Sequence, residues 1–356
     1  MEFLNDIGLF LAQALSLVVA VLLLALGLVA IAQRRQRSAS RGHLEVEKLH
    51  ERFRRNAEAV SQAIDPEGVK AAAKARRKAD KAAAKARRKA ARRGGDNAAE
   101  AGERPRPVTF VIDFDGDLRA SGADRLREEI SAVLAVRREG DDVLLRLESP
   151  GGIVPGYGLA ASQLQRLREA GVSLTACIDK VAASGGYLMA CVADRIVAAP
   201  FAVVGSIGVV AQLPNFHRFL KKHDIDVELL TAGEYKRTLT LFGENTDRGR
   251  QKFREELDDT HRLFKAFVGD HRPALDVEAV ATGEIWYGQR AVARGLVDEI
   301  STSDGLLQSL AESRDLIAVR WVRRQNWQEK LGMAAEESLL RALLRLWQRG
   351  LDRRQV

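Results

Sequence analysis

The sequence predicts an α/β protein whose parallel strands are covered by helices, preceded by one transmembrane helix and a basic helical connector. Three observations predict it. Residues Ile7 to Ala32 carry no charge, twelve Lys/Arg crowd Lys70 to Arg93, and from Pro107 onward short apolar runs alternate with segments of helical periodicity. The expected division is a tail over 1–6, an anchor over 7–32, a connector over 33–106, an α/β domain over 107–312, and a C-terminal strand and amphipathic helix over 313–356. With 356 residues, 46% of them hydrophobic, the chain is no disulfide-stapled mini-protein, collagen-like chain or wholly disordered chain.

The anchor comes first. A bilayer core needs about 20 helical residues, so 7–32 can span it with some tilt. A cleaved signal peptide competes, because Ala30-Ile31-Ala32 imitates a small-residue cleavage site. Glu2 and Asp6 stand where a basic leader would be, and the run exceeds an ordinary signal core, so a retained anchor in a bacterial-type inner membrane is expected. Arg34, Arg35, Arg37 and Arg41 follow it directly, which places the C-terminal side in the cytoplasm by the positive-inside rule.

The connector explains the charge. The chain is formally +8, yet residues 1–106 hold 22 basic and 12 acidic groups, and residues 107–356 hold 34 and 36. The larger part therefore offers no broad phosphate-binding face. Residues 42–69 read as an amphipathic helix with Leu44, Leu49, Phe53, Val60 and Ile64 as its apolar points. A nine-residue unit, A-A-A-K-A-R-R-K-A, then occurs at 71–79 and again at 82–90. It is rich in helix formers but has no apolar face beyond alanine. A solvated spacer or a partner for anionic lipid headgroups fits 70–93 better than nucleic acid, since no stacking aromatics interleave the charges.

The α/β part follows in order. Val108–Asp113, Val143–Leu147, Leu174–Ile178 and Arg195–Ala199 read as strands, and Ala123–Arg138, Leu159–Ala170 and Ser184–Ala193 as helices. Val227–Leu230 reads as a further strand. Cys177 and Cys191 are expected to be buried apolar side chains. The six histidines (His43, His50, His217, His223, His261, His271) form no metal-ligand pattern, so neither metal nor cofactor is expected.

Two strand-to-helix turns are rich in small residues: Pro150-Gly151-Gly152 and Ala182-Ala183-Ser184-Gly185-Gly186. A serine at a helix start, among glycines, has an exposed Oγ close to unpaired backbone N–H groups. That suits an acyl-transfer nucleophile with an oxyanion hole. An ordinary N-cap serine is the plainer alternative, and two such turns together favour a site. No G-x-S-x-G elbow supports a Ser-His-Asp triad. A lysine serves as base where burial or nearby cations lower its pKa. Lys236 lies in a loop between apolar stretches, and on spacing alone it is one candidate among many.

Four motifs now stand in order: L-E-S-P-G-G (147–152), K-V-A-A-S-G-G-Y (180–187), G-S-I-G-V (205–209) and Y-K-R-T-L-T-L-F-G-E-N-T (235–246). Together they resemble the signal peptide peptidase A family of serine-lysine peptidases, over nearly the whole chain. The resemblance implies a crotonase- or ClpP-like fold of repeated β-β-α units, with the peptidase domain over 107–312. It implies Ser184 as nucleophile, Lys236 as general base and Ser206 as the hydroxyl that orients the lysine. The N–H groups of Gly151 and Gly185 would form the oxyanion hole. It further implies membrane-derived or unfolded peptides as substrates, such as residual signal peptides, and a homo-oligomer in which Lys236 serves its own or a neighbouring Ser184. Gly283–Ile300 resembles the family's C-terminal helix and strand. The resemblance also favours the periplasmic face, against the juxtamembrane arginines.

Two other functions are compatible with the residues. A crotonase-like acyl-CoA hydratase or isomerase would use the oxyanion hole without Ser184. An inactive membrane scaffold would need none of these groups. Ala334–Leu351, apolar along one face, is read as a subunit-contact helix, a membrane-surface helix or a helix docked on its own domain.

Overall fold

A computed structural model describes residues 42–68 and 106–323, with isolated positions between 70 and 82. The expected anchor over 7–32, most of the basic repeat and the amphipathic stretch 334–351 lie outside the described residues. Among those described, no helix is long and apolar enough to cross a membrane.

The molecule is a mixed α/β fold. Its main sheet has seven strands in the order β1, β10, β2, β3, β4, β6, β9. These are β1 (Gly42–Lys48), β2 (Val108–Asp115), β3 (Asp142–Glu148), β4 (Ser173–Ile178), β6 (Arg195–Ala198), β9 (Glu299–Ile300) and β10 (Asp315–Arg323). From β10 to β9 every pairing is parallel. A second sheet holds β5 (Val181–Ala183), β7 (Val203–Gly205) and β8 (Ile285–Tyr287), with β5 parallel and β8 antiparallel to β7.

Parallel strands lie between helices, so both faces must be apolar. V-T-F-V-I-D-F-D in β2 buries its first five residues without a break. On one face α2 (Ala123–Val136) buries Leu126, Ile130 and Val133 at helical spacing. It packs on α3 (Val154–Glu169), which packs on α4 (Gly185–Ala190). On the other face Val111, Leu144, Cys177, Val197 and Leu316 meet Leu49 of α1 (Leu49–Ile64) and Leu307 of α9 (Ser303–Leu310). Both cysteines are buried and free, and burial pushes the Cys177 thiol up to about 12.

Three elements differ from the sequence expectation. Gly42–Lys48 is a strand, since Leu44 and Val46 alternate with polar residues, and the helix starts only at Leu49. Of the expected apolar points in that helix, Leu49 is buried and Phe53 packs beside it, whereas Val60 and Ile64 face solvent. Val227–Leu230 is not a strand: the segment lies outside both sheets, and a strand needs a neighbour to take its backbone hydrogen bonds. The longest helix among the described residues, α6 (Asp247–His271), was not among the expected elements, although Phe253, Leu257, Phe264 and Val268 recur at helical spacing; only Val268 is fully buried. Its start is legible as Thr246, whose Oγ1 accepts the Gly249 N–H at 3.1 Å. The remaining short helices are α5 (His217–Lys222), α7 (Val277–Val280) and α8 (Gly288–Val292).

One ion cluster ties three adjacent strands. Asp113 lies in register with Arg146, which donates Nε to Oδ1 at 2.6 Å and Nη2 to Oδ2 at 2.9 Å. Arg320 donates to Oδ2 at 2.9 Å. Burial pushes the Asp113 carboxyl up, but the hydrogen bonds from Arg146 and Arg320 outweigh it and hold it below its ordinary value. A lowered acid stabilises the fold above its unfolded pKa of about 3.9 and loses that contribution as pH falls through the folded value. Asp113→Asn is expected to cost about 2 kcal/mol at pH 7. The gap to wild type should close below about pH 4 in thermal melts taken across pH.

Candidate active site

The site forms where β3 runs out of main-sheet partners. Ser149, just past β3, donates its N–H to Val181 O at 2.8 Å and accepts the Ala183 N–H at 3.0 Å. These two bonds join the end of the main sheet to β5 and bring both glycine-rich turns together. β5 pairs with β7, with Ala183 opposite Gly205, and the next residue, Ser184, donates its N–H to Gly205 O at 2.8 Å.

Ser184 is therefore held by backbone on two sides. Its φ of 51° and ψ of −119° lie in a region that costs a non-glycine residue about 1–3 kcal/mol. Its side chain makes no cap hydrogen bond to α4, so the plain N-cap alternative does not hold. The hydroxyl is free for other work at a helix N-terminus.

Gly151 faces it. Its φ is +89°, and a Cβ there would sit 2.7 Å from both Ser184 Cβ and Ala183 O. A Cβ on Gly185 would sit 2.4 Å from the Tyr157 ring. Only glycine lets these backbones approach so closely. The Gly151 N–H is not idle: it donates to Ser149 Oγ at 3.1 Å.

Ser206 directly follows Gly205, so it stands one residue from the carbonyl that holds Ser184. It too is left-handed, at φ 53°, and its N–H donates to Glu284 O at 2.6 Å. Ser184, Ser206, Gly151 and Gly185 are thus gathered by the fold.

Lys236 is not gathered with them. It occupies an exposed turn, its N–H donating to Gly233 O at 3.2 Å. Among the described residues, no hydrogen bond or ion pair links its side chain to Ser184 or Ser206. The reason lies in its segment: residues 209–245 belong to neither sheet and expose Val210 and Leu230 at 90% and 88%.

Lys180 and two of the histidines are engaged elsewhere. Lys180, in the same motif as Ser184, donates Nζ to both Glu148 carboxylate oxygens at 2.9 and 3.0 Å. The Glu148 hydrogen bond and charge hold the Lys180 ammonium above its ordinary pKa, which makes it a poor proton acceptor. No histidine bonds to Ser184; His223 and His271, for example, turn to the Phe219 and Phe267 carbonyls of their own helices. No group of three or more metal-ligating side chains occurs among the described residues. A recess of about 380 Å³ lined by Arg168, Asp194, Arg272 and Asp298 lies at the opposite, N-terminal ends of β4 and β6. Its arginines are engaged by its own aspartates.

Two family models match the sequence. Residues 2–164 match peptidase family S49 N-terminal, and residues 166–317 match peptidase family S49. The probable protease SohB of Haemophilus influenzae is 49% identical over 96% of this chain and 97% of its own. The chain belongs to peptidase family S49. It is a SohB-type member and a serine peptidase. A probable protease SohB of Buchnera aphidicola is 54% identical over 67% of this S49 chain and 71% of its own. Protease 4 of Haemophilus influenzae is more distant, 27% identical over 54% of this chain and 31% of its own.

The S49 site also contains two residues that the sequence reading passed over. Ser149 appeared only inside L-E-S-P-G-G, and Tyr157 lay just before the expected helix Leu159–Ala170, which in the structure starts at Val154. Both are fully buried and hydrogen-bonded at 2.6 Å. The available signal was a tyrosine next to a glycine-rich turn and a helix start, whose hydroxyl needs a partner once buried.

Gly151→Ala tests the closeness of the two turns. A Cβ there meets backbone and the Ser184 side chain, so the turn must shift and the residue must keep an unfavourable φ. The expected result is a loss of about 2 kcal/mol in denaturant unfolding. Peptide cleavage should fall at least about tenfold, in step with the displacement of Ser184.

Proposed function

We propose that this S49 peptidase is a membrane-anchored endopeptidase with a Ser-Lys dyad, acting on membrane-derived or unfolded peptides such as residual signal peptides. The observation that carries the reading is Ser184: a strained, uncapped serine at a strand-to-helix turn, backed by two glycine turns and a second left-handed serine. In the proposed reaction Lys236, unprotonated, takes the Ser184 proton as Oγ attacks the peptide carbonyl. The Gly151 and Gly185 N–H groups receive the oxyanion. Lys236 passes the proton to the leaving amine, and water then releases the acyl group from Ser184. Ser206 holds the lysine side chain in line.

Anchoring is supported by the uncharged run 7–32 and the arginines behind it. The fold is read as the crotonase- and ClpP-like arrangement of repeated β-β-α units, in keeping with the parallel crossovers from β2 to β4. The exposed apolar segment 209–245 supports assembly with further copies, in which Lys236 reaches Ser184 of its own chain or of a neighbour.

Ser184→Ala and Lys236→Ala should each abolish cleavage of a fluorogenic peptide, leaving melting temperature within a few degrees of wild type. Mixing the two inactive proteins then reads the chain of origin. Partial recovery means that Lys236 acts on a neighbouring copy, and none means that it acts within its own. Wild-type cleavage by Lys236→Ala would remove the dyad.

A further inference from the structure

Beneath the two glycine turns lies a chain of hydroxyls that the dyad does not use. Tyr157 Oη donates to Asp117 O at 2.8 Å. That uses its single proton, so the 2.6 Å contact with Ser149 must be a donation from Ser149 Oγ to Tyr157 Oη. Ser149 Oγ is left with its lone pairs, and it accepts the Gly151 N–H at 3.1 Å. The order is therefore directed: Gly151 N–H to Ser149, Ser149 to Tyr157, Tyr157 to the Asp117 carbonyl.

The Asp117 end of the chain is anchored. The Asp117 carboxylate accepts the N–H groups of Arg119 and Ser121 and the Ser121 hydroxyl, at 3.1, 2.8 and 2.6 Å, which fixes its loop. Gly116 makes room for the hydroxyls, since a Cβ there would lie 2.2 Å from Ser149 Oγ and 2.5 Å from Tyr157 Oη. Burial raises the Tyr157 hydroxyl above its ordinary pKa and keeps it a donor. The same tyrosine ring lies against the Gly185 backbone.

We infer that Tyr157 is a positioning residue for the oxyanion side of the site, its ring setting the Gly185 backbone and its hydroxyl, through Ser149, setting the Gly151 N–H. One fully buried side chain thereby fixes the separation and aim of two donors that come from different strand-to-helix turns. Before a substrate arrives, Ser149 Oγ keeps the Gly151 N–H satisfied and the turn in place. When the oxyanion forms, the N–H is shared as a three-centre bond. The inference rests on the peptidase reading proposed above.

Tyr157→Phe removes only the hydroxyl, and Ser149→Ala removes the next member while leaving the ring. Loss of an oxyanion donor typically costs 10²–10³ in kcat, and loss of its aim should cost less, about tenfold. On the full-length protein in detergent with a fluorogenic peptide, each variant should lose about tenfold in kcat with KM within about twofold. The double variant should lose no more than the worse single variant, because both act through one chain. Melting curves establish that each variant is folded, and Ser149→Ala carries the test alone if Tyr157→Phe does not fold. The inference is overturned by unchanged kcat in a folded variant, by losses confined to KM, by multiplied losses in the double variant, or by a gain in kcat in Ser149→Ala. Such a gain would mean that the hydroxyl competes with the oxyanion. Ser184→Ala, run alongside, separates the two levels. Cleavage that survives it overturns the peptidase reading and this inference together. Cleavage lost in Ser184→Ala but untouched in Tyr157→Phe overturns this inference only.

Discussion

The pair of backbone hydrogen bonds at Ser149 is the constraint on which the site depends. β3 belongs to the main sheet and β5 to the small one, and without the bonds to Val181 and Ala183 the two glycine turns would be independent loops. With them, Gly151 is pressed against Ser184 at a distance that excludes a methyl group. The arrangement is made by main chain, so it does not rely on long side chains with rotamers to lose. The large core serves the same end: β2, β3, α2 and α3 fix where β3 stops, and that stop is where the two glycine turns meet.

Much of this was legible in the sequence, for specific reasons. Buried parallel strands such as V-L-L-R-L are continuous apolar runs, and α2 shows Leu126, Ile130 and Val133 at helical spacing, so periodicity finds both. The turns are legible because glycine and serine at a strand-to-helix junction have few other uses. What escaped follows a physical rule as well. The three-residue strands β5, β7 and β8 are too short for any period to appear, and their existence depends on each other. α6 does carry Phe253, Leu257, Phe264 and Val268 at helical spacing, but charged residues crowd between them and only Val268 is fully buried. Ser149 and Tyr157 escaped because their meaning lies in a contact between a turn and the helix that follows it, which no linear pattern displays.

Lys236 marks the opposite limit. Its motif was plain, yet its place relative to Ser184 was not, because the segment that carries it packs on neither sheet. Apolar side chains such as Val210 and Leu230, left in solvent, leave that segment without a core to fix it. The charge distribution fits the same division of labour. The basic groups concentrate before residue 107, while the part that holds the serine is nearly neutral.

The left-handed backbone at Ser184 and Ser206 sets stability against keeping a hydroxyl. Glycine would take either conformation without penalty and would remove the hydroxyl in the same stroke. Each serine thus keeps the fold about 1–3 kcal/mol less stable than its backbone alone would allow. Under the proposed roles of these serines, a descendant of this chain released from enzymatic duty would gain stability by drifting to glycine at these two positions. Under those proposed roles, retention of both serines in a related sequence would record continued use, readable from two letters.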